Sequence, residues 1–225
     1  GENDGTLENG AALSRSVPAE DATWNNRSID FDGADQLLDC GTGLADSLGD
    51  NYAGSLTASL WFKADVTDHQ DGIFALREDG NHGKFQFSMW ADTIQFQCNG
   101  SSWKREVAFT DTASWHHLVC VYTAGSETDS KMYLDGVAVG STSGTFPSAA
   151  DMDFAGLNTI IGGFVSESYL FNGKIDEVAV FTSALSAAQV LQIYNGGSPA
   201  DLKEFSPESW WRMGDDDDAG GTTIR

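Results

Sequence analysis

The sequence predicts an all-β domain made of two antiparallel sheets, with one short helix towards the end of the chain. Polar and apolar side chains alternate strictly over residues 84–99, and a sheet with one buried face requires this period of two. The dipeptide Asp135-Gly136 lies between β-forming residues and indicates a tight hairpin. Residues 187–194 carry the helical pattern, which a Ser-x-x-Gln capping box introduces and Asn-Gly-Gly ends.

The hairpin at 84–99 divides its side chains between two faces around the turn Ala91-Asp92. The face predicted to be buried carries Phe85, Phe87, Met89, Ile94, Phe96 and Cys98. The polar face carries Lys84, Gln86, Ser88, Trp90, Thr93, Gln95, Gln97 and Asn99. Further strands are predicted within residues 27–33, 56–63, 115–122, 131–139, 159–161 and 174–181. Short strands at this regular spacing are typical of a β-sandwich.

The charge of the chain restricts its partners. The 225 residues include 12 Lys and Arg and 34 Asp and Glu, so the formal net charge is −22. A nucleic-acid-binding protein needs a basic surface to displace counterions from phosphate, and an anionic membrane would repel this chain. No stretch of the sequence is long and apolar enough to span a bilayer. We therefore expect no nucleic-acid partner and no membrane insertion, whereas hard cations such as calcium suit an acidic chain.

Four parts of the sequence resemble, in order, the signatures of bacterial and viral laminin-G-like domains. They are Ser28–Gly33 (SIDFDG), Ser55–Phe62 (SLTASLWF), Trp115–Tyr122 (WHHLVCVY) with Met132–Val137 (MYLDGV), and Phe171–Val178 (FNGKIDEV) with Ala184–Ser186 and Ile193–Asn195. The resemblance implies a concanavalin A-like jelly roll, a fold that carries lectins, adhesion modules and glycosidases. It divides the chain into an N-terminal extension (1–26), the sandwich (27–196) and a C-terminal linker and strand (197–225).

Both ends of the chain resemble parts of one repeat motif in laminin-G-like proteins of marine tailed phages. Trp210–Asp215 with Gly221–Arg225 is similar to the start of that motif, and Asn3–Gly10 is similar to its remainder. The resemblance implies a non-catalytic structural, decoration or fibre module at the virion surface, in contact with other virion proteins or with copies of itself, and host-surface glycans are the ligand class it suggests. A secreted or cell-surface carbohydrate-binding domain of a bacterium is the alternative. We expect the two ends to form one element completed between units, with Ser209–Met213 as a strand against a sheet or a neighbouring copy and Asp215–Asp218 exposed.

The polar face of the 84–99 hairpin is the candidate glycan-binding site. Sugar binding needs aromatic platforms beside amide and carboxylate groups. The candidate residues are Gln86, Trp90, Gln95, Gln97 and Asn99, with Trp103 in the following loop. An ordinary solvated face of an antiparallel sheet would show the same polarity, so the sequence leaves both interpretations open.

Catalysis is not expected, and a glycoside hydrolase of this fold is the weaker alternative. The resemblance implies that such enzymes carry Glu-x-Asp-x-x-Glu on one strand, and retaining hydrolysis needs two carboxylates about 5 Å apart. The nearest match begins at Glu127 and Asp129, but Met132 replaces the last acid and the segment has the polarity of a turn. His116 and His117 are adjacent on a predicted strand, so their side chains should point to opposite faces and cannot share one site.

The resemblance also implies a structural calcium ion at the rim of the sandwich. Calcium takes six to eight oxygen ligands from carboxylates and loop carbonyl groups. Asp32 and Asp176 occupy the matching positions of the family motifs, and Asp35 is a candidate third ligand. Simple turn formation is the other interpretation of Asp32 and Asp35.

Overall fold

The computed structural model describes residues 5–7, 9–18, 27–77, 83–100, 102–164, 169–213 and 223–224. Along the chain its strands are β1 (Gly5–Leu7), β2 (Ala12–Ser14), β3 (Ser28–Asp32), β4 (Leu38–Asp39), β5 (Leu56–Ala64), β6 (Gln70–Arg77), β7 (Phe85–Trp90), β8 (Thr93–Cys98), β9 (Trp103–Ala108), β10 (His116–Tyr122), β11 (Lys131–Leu134), β12 (Val137–Val139), β13 (Ser141–Gly144), β14 (Asn158–Ile161), β15 (Asn172–Phe181), β16 (Ser209–Trp211) and β17 (Thr223–Ile224). The helices are α1 (Gly43–Leu48) and α2 (Ala187–Tyr194), with short 3-10 turns at Ala149–Asp151 and Lys203–Phe205.

The described strands form two antiparallel sheets whose inner faces share one apolar core, which confirms the predicted jelly-roll sandwich. The first sheet has the order β13-β9-β8-β7-β6-β14-β4-β1-β17. The second has the order β12-β11-β10-β5-β15-β3-β2, and β16 also pairs with β15. Non-local pairings such as β14 with β4 and β15 with β5 bring distant parts of the chain to one surface.

Both predicted hairpins are confirmed. Strands β7 and β8 meet around Ala91 and Asp92, whose φ angles are 45° and 60°. Strands β11 and β12 meet around Asp135 and Gly136, whose φ angles are 51° and 76°. Two consecutive positive φ angles are the property of a type I′ turn, whose twist matches that of the flanking strands.

Aromatic rings from β7, β8 and β9 form the centre of the core. Phe96 lies with its ring centroid 5.2 Å from Phe85, 5.9 Å from Phe87 and 5.4 Å from Trp103, in each case edge to face. All four side chains are fully buried. Edge-to-face packing places the positive ring edge against a negative ring face, which adds to the burial of apolar surface.

Helix α1 is an element that the sequence did not predict. Its six residues bury Leu44, Ala45 and Leu48 against the core. A helix of fewer than two turns is too short to show the helical period that identified α2.

The outer face of the second sheet is covered by α2 and the segment that follows it. Ser186 accepts a hydrogen bond from the Gln189 backbone N–H and completes the predicted capping box. The buried apolar residues under this cover are Val119, Val121, Tyr133, Ala179, Phe181, Leu185, Val190, Ile193 and Leu202. The outer face of the first sheet, in contrast, carries the half-exposed Trp90.

A buried carboxylate on β15 binds the C-terminal segment that contains β16. Glu177 is 3% exposed, and its Oε2 accepts a hydrogen bond from Trp210 Nε1 at 2.6 Å. Arg212 Nε lies 3.7 Å from Glu177 Oε1. A buried charge with both a cation and an N–H donor avoids most of the cost of leaving water.

The two adjacent histidines point to opposite faces of β10, as predicted. His116 packs towards the core, 5.0 Å from the ring of Phe109. His117 lies under the cover, 4.9 Å from the ring of Trp61, and its Nε2 is 2.8 Å from Ser59 Oγ. Burial lowers the pKa of His117 to about 3, so this ring is neutral and has a packing role.

Strands near both ends of the chain join the sheets. β2 pairs with β3, and β1 pairs with both β4 and β17. The predicted strand at Ser209–Met213 exists as β16 (Ser209–Trp211), and it lies against a sheet of its own domain, where β15 rather than another unit is its partner. The predicted exposure of Asp215–Asp218 concerns residues outside the described part of the chain.

Truncation of Phe96 should reveal how much the aromatic core contributes to stability. We expect Phe96→Ala to lower the free energy of unfolding by about 3–5 kcal/mol, because it removes buried surface and leaves a cavity between two rigid sheets. Urea unfolding monitored by tryptophan fluorescence measures this. Val137→Ala is the control, since Val137 is 63% exposed and its truncation should cost less than about 0.5 kcal/mol. Equal effects of the two variants would contradict the assignment of Phe96 to the core.

Candidate functional site

A groove of about 710 Å³ lies on the outer face of the first sheet. Strands β6, β7, β8 and β9 supply its floor, and two residues from the segment between β14 and β15 form a wall. The residues that line it are Gln70, Arg77, Gln86, Trp90, Gln95, Gln97, Lys104, Phe164 and Tyr169. Period-two alternation explains the polar floor, because the neighbouring residues on β7 and β8 face the core.

A chain of hydrogen-bonded amides forms the floor of the groove. Gly83 N–H donates to Gln86 Oε1 (3.0 Å), and Gln86 Nε2 donates to Gln97 Oε1. Gln97 Nε2 donates to Gln95 Oε1 (2.8 Å), and Gln95 Nε2 donates to Glu106 Oε2 (3.1 Å). Since each amide is held by its neighbour, the floor is ordered before any ligand arrives.

Aromatic side chains stand above this floor. Trp90 ends β7 beside the hairpin turn and is 47% exposed, and Tyr169, from the segment before β15, is exposed to the same extent. Phe164 packs against Tyr169, with ring centroids 6.2 Å apart. The guanidinium carbon of Arg77 lies 4.6 Å from the centroid of the Phe164 ring, which is the geometry of a cation–π contact.

The structure brings together four of the six residues predicted to bind glycan. Trp90, Gln86, Gln95 and Gln97 all line the groove. Asn99 lies in the turn between β8 and β9, where its Oδ1 accepts a hydrogen bond from Lys84 Nζ at 3.1 Å. Its amide therefore holds the turn and does not line the groove.

The prediction that Trp103 binds glycan is wrong. Trp103 begins β9 opposite Cys98, so its side chain points into the core and is fully buried. Its indole Nε1 donates to Glu127 Oε1 at 3.1 Å. The sequence interpretation failed because it placed this residue in a loop, where its side chain would have been free to face solvent.

Several residues of the groove were not predicted. Lys104 lies opposite Gln97 in the pairing of β8 with β9, and the alternation after Trp103 could have identified it once the strand was known. Phe164 and Tyr169 precede β15 and reach the groove only through the folding of the two sheets, so no local pattern in the sequence signals them.

A smaller hollow of about 410 Å³ adjoins the groove and shares Gln70 and Tyr169 with it. Asp71 is the only carboxylate among the described residues that line this hollow. Its side chain is 4% exposed, and its Oδ2 has no hydrogen-bond partner among the described residues. Burial raises the pKa of Asp71 to about 6, because the charged form loses its hydration.

The acidic segment that most resembles a glycosidase motif lies away from the groove. Glu127 and Asp129 are exposed in a turn, as predicted. Asp129 Oδ2 accepts a hydrogen bond from Ser126 Oγ at 2.7 Å, and Glu127 accepts one from Trp103. Both carboxylates thus have structural partners, Asp129 within the turn and Glu127 at the start of β9.

The predicted calcium ligands do not come together. Asp32 pairs with Asn172 in the alignment of β3 with β15, and Asp176 lies four residues further along β15. Four residues of strand span about 13 Å. Each oxygen ligand of calcium lies within about 2.6 Å of the ion, so two ligands of one ion must lie much closer together than this. Asp32 Oδ1 accepts the Ala34 N–H at 2.8 Å, which is turn chemistry, and Asp35 is exposed. Joint ligation of one calcium ion by Asp32 and Asp176 therefore does not fit, and the structural calcium ion itself stays a prediction.

The chain belongs to the concanavalin A-like lectin/glucanases superfamily, because the laminin-G-like family model of that description matches residues 41–191, more than half of the chain. No curated protein sequence matches the chain significantly. Among the described residues, no helix is long and apolar enough to cross a membrane.

Solved structures with the same fold include carbohydrate-associated and toxin domains. Domain 4 of AbnA, a GH43 extracellular arabinanase from Geobacillus stearothermophilus in complex with arabinotriose, is 20% identical with a TM-score of 0.57, over 84% of this chain and 87% of that domain. A heptameric SAP-like pentraxin from Limulus polyphemus is 19% identical with a TM-score of 0.51, over 63% and 70%. The botulinum neurotoxin serotype C1 binding domain is 12% identical with a TM-score of 0.59, over 85% of this chain and 46% of that one. At these identities the likeness establishes the fold.

The buried carboxylate beside the groove should make stability depend on pH. The pKa of Asp71 is higher in the folded chain, about 6, than in the unfolded chain, about 3.9. Ionisation of Asp71 is therefore harder in the folded chain than in the unfolded chain, and it lowers the free energy of unfolding progressively as the pH rises from 4 to 6. We expect Asp71→Asn to be more stable than the parent by about 2 kcal/mol at pH 7.5, and this gain should vanish near pH 4. Urea unfolding at both pH values measures the difference.

Asp65→Asn is the matched control for Asp71→Asn, because Asp65 is exposed. Its effect on stability should be small at either pH. A pH-independent effect of Asp71→Asn would show that the Asp71 carboxylate is already satisfied in the folded protein.

Proposed function

We propose that this domain is a non-catalytic carbohydrate-binding module whose ligand occupies the groove on the first sheet. The combination of two half-exposed aromatic side chains, Trp90 and Tyr169, with an ordered amide floor carries this proposal. A pyranose ring has an apolar face that packs on an aromatic ring and hydroxyl groups that bond to amides, so the two kinds of group match one ligand. The arabinotriose complex of a domain with this fold supports the same ligand class.

Binding without hydrolysis is favoured by the chemistry of the groove. Glycoside hydrolysis needs two carboxyl groups, about 5–5.5 Å apart in retaining enzymes and about 6.5–9.5 Å apart in inverting ones. The described residues that line the groove include amides and cations but no carboxylate. Glu106, at its margin, already binds Lys104 Nζ at 2.7 Å and Gln95.

Purified protein should therefore release no reducing ends from polysaccharides, which a reducing-sugar assay measures. Turnover that is abolished by Glu106→Gln, Glu127→Gln or Asp71→Asn would favour the hydrolase.

Removal of the tryptophan platform should abolish most of the binding. Loss of a large aromatic contact costs about 1.5–3 kcal/mol, so Trp90→Ala should weaken the best ligand of a glycan array by about ten- to a hundredfold. Isothermal titration calorimetry on the parent and the variant measures the change.

Leu191→Ala is the control for Trp90→Ala. Leu191 is 55% exposed and lies on α2, on the other sheet, so its truncation should leave glycan affinity as it is. If the array shows no ligand, or if Trp90→Ala binds as tightly as the parent, the groove is not a carbohydrate site.

A virion-surface module is the biological setting that we propose for this binding activity. The support is the resemblance of the Trp210–Asp215 and Asn3–Gly10 segments to a repeat motif of marine tailed phages. A secreted or cell-surface bacterial adhesion domain would use the same groove. Mass spectrometry of purified virus particles separates the two settings, since the peptide sequences of this chain should be present in the particles in the first and absent from them in the second.

A further inference from the structure

The hollow beside the groove contains a buried hydrogen-bond acceptor that the described part of the chain does not use. Asp71 lines the hollow and is 4% exposed, and its Oδ2 accepts no hydrogen bond from the described residues. Burial raises the pKa of Asp71 to about 6, so the carboxylate is ionised at pH 7.5 and can only accept hydrogen bonds. A buried acceptor without a donor costs stability, and a ligand that brings a donor removes this cost.

The backbone that carries Asp71 is held in place. The Gly72 N–H donates to the Tyr169 carbonyl oxygen at 2.7 Å. A Cβ atom at Gly72 would lie 2.5 Å from the Gly163 carbonyl carbon, so this close approach of two backbones needs glycine. The register of β6 against β7 also shifts between Gly72 and Phe74, and a bulge of this kind changes the direction of neighbouring side chains. The carboxylate therefore has a fixed position at the edge of the hollow.

The hollow continues the groove. Gln70 and Tyr169 line both spaces, and Gln70 is opposite Trp90 in the pairing of β6 with β7. The hollow thus opens beside the tryptophan platform. Its volume of about 410 Å³ lies within the range of about 300–1,000 Å³ that ligand pockets have. A saccharide stacked on Trp90 has room to continue past Tyr169 and reach Asp71.

The lining of the hollow suits an uncharged sugar unit. Leu170 and the ring of Tyr169 offer apolar surface, and the Asn172 amide offers both a donor and an acceptor. A hydroxyl group can donate to the Asp71 carboxylate and accept from an amide at the same time. It also loses less hydration than an ammonium group when it enters a buried site, so a hydroxyl is the donor that fits best.

We propose that the hollow is a second subsite for carbohydrate, in which Asp71 Oδ2 accepts a hydrogen bond from a hydroxyl group of the sugar unit next to the one stacked on Trp90. The inference rests on the proposed carbohydrate-binding function and adds a residue that determines specificity. A site built to bind a hydroxyl group rejects the analogue that lacks it, because its own polar group is then left unpaired. The subsite also gives a role to a carboxylate that lowers the stability of the unliganded fold at neutral pH.

The test uses the best glycan of the array and a set of monodeoxy analogues, each without one hydroxyl group, in calorimetry at pH 7.5. One analogue that lacks a hydroxyl next to the stacked unit should bind the parent protein about tenfold or more weakly than the complete glycan. Asp71→Ala should weaken the complete glycan by a similar factor and bind that one analogue equally well. Asp71→Asn keeps the size of the side chain and an amide oxygen, so its affinity for the complete glycan should lie between those of the parent and Asp71→Ala.

Asp201→Ala is the matched control, because Asp201 is an exposed carboxylate beside the second sheet. It should keep the parent's affinity for every analogue. If all the deoxy analogues lose the same factor in Asp71→Ala as in the parent, or if Asp71→Ala weakens only glycans with an amino group, the hydroxyl subsite is wrong while the carbohydrate-binding function stands. If the array shows no ligand, or if Trp90→Ala binds every glycan as the parent does, the function itself fails and the subsite with it.

Discussion

The pairing register of β7 with β8 is the constraint on which both the core and the groove depend. It sets Phe87 opposite Phe96 on the inner face and Gln86 opposite Gln97 on the outer face. Because the side-chain period of a strand is two, a slip by one residue would turn the phenylalanines to solvent and the amides into the core. The turn at Ala91 and Asp92 holds the register, since a two-residue loop with two positive φ angles leaves no room for a slip.

The amide floor shows how a polar surface can be nearly buried and still stable. Gln86 and Gln95 are 4% and 6% exposed, and a buried amide without a partner would cost about 1–3 kcal/mol. The one-way chain of hydrogen bonds removes this cost by satisfying each amide with the next, and it ends on the pair formed by Glu106 and Lys104. An ordered floor of this kind loses little conformational entropy when a ligand binds, which favours affinity.

The two outer faces of the sandwich have different roles because α2 covers only one of them. On the second sheet, the buried polar groups His117 and Glu177 bind side chains of the same chain, Ser59 and Trp210. On the first sheet, the aromatic side chains of Trp90 and Tyr169 remain half exposed. Polar groups under the helix therefore stabilise the fold, whereas the amides on the open sheet form the floor of a groove.

Local patterns in the sequence were enough to identify most of the long strands, both tight hairpins, α2 with its cap, and the amides with Trp90 on one face, but they missed β6 and β9, which supply part of the groove floor. These features depend on side-chain period and turn chemistry within a few residues, which the sequence displays directly. Position in space was decided by the tertiary structure. Trp103 faces the core because it begins β9 opposite the buried Cys98, and Asp32 and Asp176 lie apart because the β3–β15 register separates them. One surface is formed only when strands distant in the sequence pair, and it then includes Arg77, Lys104, Phe164 and Tyr169. Such pairing follows from the packing of the whole core rather than from any local pattern.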